Sequence, residues 1–246
     1  MRNKSGQILL ITVMLLATVM TIVLSVSFKS ATDTQITKLE EESQKALVAA
    51  ESAIEVALKN NNTATLGSGS LTSITGFEGS ATIESLTSSS FTTPSIPKDG
   101  SYTFYLGNYN LTTKTIVSSF DQSVTLCFQS GANPAIEATL VKSNGVTKYV
   151  GDPSGRINNA PTGNCNGHAN FPNSINIPGD ANSRFLLVRV LYAPTKLFLS
   201  TSSNLPIQGR TISSQATSST STGVSKKVVL FQSYPQIPGE FFTTTF

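Results

Sequence analysis

The chain has 246 residues, 39% apolar and only 13% charged, with a formal net charge of +3. That is enough apolar material for a core of ordinary size, so disorder throughout is excluded. Apart from Lys226 and Lys227, the basic residues beyond the first helix are scattered singly, which leaves no basic stripe for nucleic acid.

Residues 8–28, ILLITVMLLATVMTIVLSVSF, form an uncharged stretch of 21 residues. At about 1.5 Å per helical residue such a stretch crosses roughly 30 Å of bilayer hydrocarbon, so membrane lipid is the first partner to be expected. A cleaved secretory signal has a shorter apolar region, about 7 to 15 residues. The seven residues before the span cannot hold a domain, whereas the large Ser/Thr-rich remainder carries two cysteines. A single-pass protein with an extracytoplasmic C-terminal domain is therefore expected.

Past the span, Ile36, Leu39, Ala46, Leu47, Ala50, Ala53, Ile54, Ala57 and Leu58 recur at three- and four-residue intervals, and no Gly or Pro occurs between Gln7 and Asn60. One continuous helix over 7–60 follows, with the membrane span at 8–28. Glu41 and Lys45 are spaced as an i,i+4 pair on its solvated face. Asn60, Asn61 and Asn62 form a polar stop, and residues 61–100 read as a Ser/Thr/Gly-rich linker with a strand or two.

Residues 101–246 read as a β-rich head domain. Tyr102, Phe104 and Leu106 alternate with Thr103 and Tyr105, and Gly107-Asn108 predicts a hairpin turn into 109–113. Val124, Leu126 and Phe128 share one strand face, with Cys127 on the other. Segments 136–143 and 146–150 flank Asn144-Gly145, a strong hairpin signal. Residues 151–184 read as a long loop, and the nearly continuous apolar run 185–192 as a central strand. Shorter strands are expected at 197–199, 211–213 and 227–231, with SSQATSSTSTGVS between the last two as a polar loop. The fold class is α+β: a long N-terminal transmembrane and stem helix, then one antiparallel sheet of about five to seven strands beside its upper half.

Chemistry is sparse. His168 is the single histidine, and no H-E-x-x-H, G-x-S-x-G, P-loop or dinucleotide fingerprint occurs. Cys127, Cys165 and His168 supply three soft ligands, where closed zinc sites need four. A Cys127–Cys165 disulfide is expected instead, as suits an oxidising compartment. Asp152 and Asp180 sit in loops as turn formers. Two glycosylation sequons, at 61–63 and 110–112, point to surface exposure. No cofactor, no metal and no catalytic residues are expected, and the protein reads as a non-enzyme.

The segment Lys4-Ser5-Gly6-Gln7-Ile8-Leu9-Leu10-Ile11 resembles the leader junction of type IV prepilins, where a short basic leader ends in Gly just before an apolar helix. Ala49-Ala50-Glu51-Ser52-Ala53-Ile54-Glu55 resembles the helix end of PilX-type minor pilins, so the likeness covers roughly the first 60 residues. The resemblance implies that residues 1–6 are a prepilin-type leader and that Lys4, Ser5, Gly6 and Gln7 are recognised by a prepilin peptidase cutting after Gly6. It also implies a structural minor pilin or pseudopilin at the cell surface or in a pilus, bound to other pilin subunits through its N-terminal helix. Gln7 and Ile11 depart from the Phe or Met and the Glu that major pilins carry at the first and fifth mature positions, and the Pro common in that helix is missing. The alternative is a permanently anchored, adhesin-like surface-binding protein with residues 101–246 as its binding module.

Overall fold

The computed structural model describes residues 5–85, 87–165, 167–219 and 223–239. One helix, α1 (Ser5–Asn60), is followed by β1 (Ala64–Thr65), a 3-10 turn (Gly69–Leu71), β2 (Phe77–Glu84), β3 (Ser90–Thr92), β4 (Ser101–Tyr105), β5 (Tyr109–Asn110), β6 (Thr115–Ile116), β7 (Val124–Phe128) and β8 (Ala135–Lys142). Then come β9 (Gly145–Gly151), β10 (Gly163–Asn164), β11 (Asn173–Ile177), β12 (Ser183–Leu191), β13 (Leu197–Thr201), β14 (Gly209–Ser218) and β15 (Ser225–Ser233). The α+β class and the long apolar N-terminal helix are as the sequence predicts. The helix starts two residues before the expected Gln7. It ends where Asn61 turns left-handed, at φ 51°. There the Asn62 N–H donates back to Ala57 O at 3.2 Å and closes the final turn.

The chain forms two compact units, Met1–Ile83 with Ile212–Val229, and Glu84–Thr211 with Leu230–Phe246. The first holds α1 and a sheet ordered β1-β2-β14-β15. Its core joins Ala49, Ala50, Ala53, Ile54 and Ala57 of α1 to Leu66, Leu71, Ala81, Ile212 and Ala216. The small side chains on both sides let helix and sheet approach closely. Gly79 of β2 shows how close the strands run. A Cβ there would lie 1.9 Å from Gln215 O, and its φ of +145° also favours glycine.

The second unit is built from two antiparallel sheets, β10-β11-β7-β13-β3 and β4-β12-β8-β9, with β5-β6 as a separate ribbon. Its core packs Leu126, Phe128, Ile175, Ile177, Leu197 and Leu199 of the first sheet against Phe104, Ile136, Leu140, Leu186 and Val188 of the second. β12 is central, with Leu186 opposite Phe104 on one side and Leu140 on the other. Cys127 points away from this core and forms a separate cluster with Cys165, Phe198 and Phe171.

Several local expectations are corrected. The strands make several sheets rather than one, and the sheet that joins α1 uses the chain on both sides of the larger unit. The hairpin expected from β4 through Gly107-Asn108 does not form, because β5 pairs with β6 and β4 pairs with β12. The β8-β9 turn lies one residue earlier than Asn144-Gly145: Lys142 faces Gly145, so Ser143 and Asn144 are the two loop residues. Segment 151–184 contains β11, which pairs with β7 over its whole length. Residues 214–218 are strand rather than polar loop, since Ser214, Ala216 and Ser218 alternate inward along β14. Residues 61–100 hold two full strands, β2 and β3, besides β1.

Candidate functional surface

Along α1 the surroundings change in three stages. Over residues 9–28 all the large apolar side chains are exposed, by 47% to 69%. This stretch has the length and composition to cross a membrane. Its threonines keep their polarity inside the helix: Thr12 donates to Leu9 O at 2.8 Å, Thr18 to Leu15 O at 2.8 Å, and Thr21 to Thr18 O at 2.8 Å. A hydroxyl bonded to its own helix costs less in hydrocarbon than a free one. The next stretch, to about residue 45, is charged and exposed, with the expected Glu41–Lys45 ion pair at 2.6 Å. From Ala46 onward one face of the same helix is buried in the first unit. A single uninterrupted element thus exposes a bilayer-length apolar cylinder and anchors a β sheet.

Of the residues expected at the leader junction, Lys4 lies outside the described residues, while Ser5, Gly6 and Gln7 form the first helical turn. Cys127 and Cys165 are bonded, with their Cα atoms 5.8 Å apart. The bridge ties β7 to the segment carrying β10 and sits beside Phe198 and Phe171. His168 lies over the Phe198 ring at 4.2 Å between centroids. Both cysteine sulfurs are committed to the disulfide, and among the described residues no group of three or more His, Cys, Asp or Glu side chains could hold a metal ion.

The two loop aspartates organise turns. Asp152, its carboxylate fully buried, accepts the N–H groups of Ser154 at 3.1 Å, Arg156 at 2.7 Å and Ile157 at 3.0 Å. It also pairs with the Arg156 guanidinium at 2.8 Å. That guanidinium holds the carboxyl below the usual range, and the three N–H groups add to the effect. Arg156 further donates to Asn133 O at 2.7 Å and lies 3.9 Å above the Tyr192 ring. Asp180 accepts from Asn182 N–H at 2.8 Å and pairs with Lys142 at 2.9 Å. Sequence spacing could not reveal the Asp152–Arg156–Tyr192 arrangement, which depends on Tyr192 meeting a loop some 40 residues earlier.

A pocket of about 200 Å³ in the second unit is lined by Ser90, Phe91, Leu205, Gln208, Thr211 and Phe231 among others. Among the described residues its wall holds no ionisable side chain. Nearby in the same unit, burial pushes the phenols of Tyr102 and Tyr105 up to about 12, so both stay neutral at physiological pH. Compared with known proteins, the chain matches no family model, no curated protein and no solved structure.

Proposed function

We propose that this chain is a structural minor pilin or pseudopilin: a subunit stored in the membrane through α1 and assembled into a type IV pilus-like filament through the same helix. The observation that carries the reading is the continuity of α1. Its exposed apolar part over 9–28 and its part with one buried face from Ala46 belong to one helix of 56 residues. Only the latter is covered by the protein's own sheet, so the former needs lipid or other helices around it. The leader-like Lys4-Ser5-Gly6-Gln7 junction supports removal of residues 1–6 by a prepilin peptidase before assembly. In this reading the β-rich units are extracytoplasmic and reach the cell surface with the filament. The disulfide accords with that location.

Intact-mass measurement and N-terminal sequencing of the protein purified from its native membranes test the proposal. A mature chain starting at Gln7 is expected. A chain retaining Met1 to Gly6 favours the permanently anchored, adhesin-like reading, and a start near Phe28 shows that the apolar segment is a cleaved secretory signal.

A further inference from the structure

β4 is an edge strand, bonded on one side to β12 and on the other to no strand among the described residues. Edges of this kind pair with other chains unless something covers them. Here the cover is residues 235–239, which lie along β4 as a strap. Gln236 Oε1 accepts the Thr103 N–H at 2.7 Å, and the Ile237 N–H donates to Thr103 Oγ1 at 3.0 Å. Ser101 Oγ donates to Ile237 O at 3.3 Å, and the Tyr105 hydroxyl donates to Pro235 O at 2.7 Å. Each of these bonds uses a side-chain group of the strap or of β4. Pro235 and Pro238 lack the N–H groups a continuous ladder requires. The strap therefore blocks the edge without becoming part of the sheet, and it can leave while the β4-β12-β8-β9 pairings stay intact. Beside it, Gln208 keeps the Tyr105 N–H and C=O occupied independently of the strap.

We propose that residues 235–239 are exchangeable: the outer edge of β4 takes this strap from its own chain or from a second copy, so that neighbouring copies are linked strap to edge. A second copy's strap carries the same side chains in the same order and can form the same four bonds. Exchange thus gains and loses no contact within the site, and the balance is set by how concentrated the copies are. The inference stands apart from the filament reading, since it concerns any condition that brings copies together.

The test uses cysteine pairs in the full chain. A Cβ on Gly239 would lie 3.1 Å from Ser101 Cβ, close enough for a disulfide after a small shift. With Ser101→Cys and Gly239→Cys in one chain, a link within the chain is expected in dilute detergent solution. The decisive sample mixes chains carrying only Ser101→Cys with chains carrying only Gly239→Cys. Oxidation is expected to give a 101–239 linked dimer, identified by peptide mass spectrometry, with a yield that rises with concentration. An in-chain link in the double variant with no link in the mixture at any concentration overturns exchange, and the absence of both links overturns the strap itself. Hydrogen exchange on the unmodified chain gives a second readout. The Thr103 amide is expected to exchange on the order of tenfold faster than the Leu187 amide opposite it, through opening of the strap alone. Exchange of both only through global unfolding overturns the proposal.

Discussion

Gln208 pairs with Tyr105 as a neighbouring strand would: its Oε1 accepts the Tyr105 N–H at 2.9 Å, and its Nε2 donates to Tyr105 O at 2.8 Å. One side-chain amide replaces two rungs of a ladder at a buried position. Gln208→Ala leaves both backbone groups unpaired, and a loss of roughly 2 to 4 kcal/mol is expected in urea denaturation. Gln208→Glu places a carboxylate against the Tyr105 carbonyl. Its stability deficit at neutral pH is expected to shrink as acid protonates the new side chain.

The Asp152 carboxyl is held low by Arg156 and by three backbone N–H groups. A carboxyl with a lowered folded pKa contributes stability that is fully present above its unfolded value, about 3.9. That contribution is lost as pH falls through the folded value. Thermal melts between pH 2 and pH 7 are expected to show an acid loss that Asp152→Asn reduces, because the variant has no charge there to lose. At pH 7 the same variant is expected to melt at a lower temperature than the parent.

Removing the disulfide with Cys127→Ser and Cys165→Ser opens a loop with a sequence separation of 38. The chain-entropy estimate for such a loop is about 4 kcal/mol. Denaturation with and without reductant measures it, and the double variant is expected to be insensitive to reductant. The core between the two sheets lies on the other face of β7 and is expected to persist.

Ser214 is 1% exposed, and its hydroxyl has no hydrogen-bond partner among the described residues. Ser214→Ala removes a desolvated polar group and is expected to raise stability by about 1 kcal/mol. Ala53→Leu is expected to act oppositely. Ala53 is fully buried in the core cluster of the first unit, and overpacking there costs about 1 to 3 kcal/mol.

Ile11 stands where the major pilins that the junction resembles carry a glutamate. An ionised carboxylate at membrane depth costs about 2.5 to 3.5 kcal/mol, so it persists where it meets a positive partner. A subunit with Ile11 inserts readily but offers no countercharge to a neighbour's amine. Under the pilin role proposed above, quantitative mass spectrometry of sheared filaments is expected to find this chain in trace amounts beside a Glu-bearing pilin. Finding it as the most abundant subunit contradicts both the expectation and the role assigned to Ile11.

The helix was legible because its signal is redundant: 21 apolar or hydroxyl residues, then a three-and-four repeat, then three asparagines of which Asn61 takes the left-handed turn. The 185–192 run and the opposed faces of Val124 and Cys127 were legible for similar reasons, since periodicity and large side chains agree there. β14 was not, because Ser214, Ala216 and Ser218 face inward as small residues, Ala216 in one cluster with the alanines of α1. Small polar side chains at such an interface carry the composition of a loop. β11 was hidden in the same way, its Asn173, Ser174 and Asn176 masking the buried Ile175 and Ile177. The Gln208 and Gln236 contacts to β4 were beyond reach, since each joins residues more than 100 positions apart.

The threonines at 12, 18 and 21 turn their hydroxyls back onto their own helix carbonyls. At those three positions the helix therefore advertises little to a neighbour. Polar adhesion, which fixes partner and register for many helices in lipid, is largely spent internally. Apart from the hydroxyls of Ser25 and Ser27, what remains is contour: the pattern of bulky and small side chains from Leu9 to Phe28. A surface of that kind tolerates sliding and a change of surroundings, from acyl chains to other helices, without first breaking bonds to what it leaves.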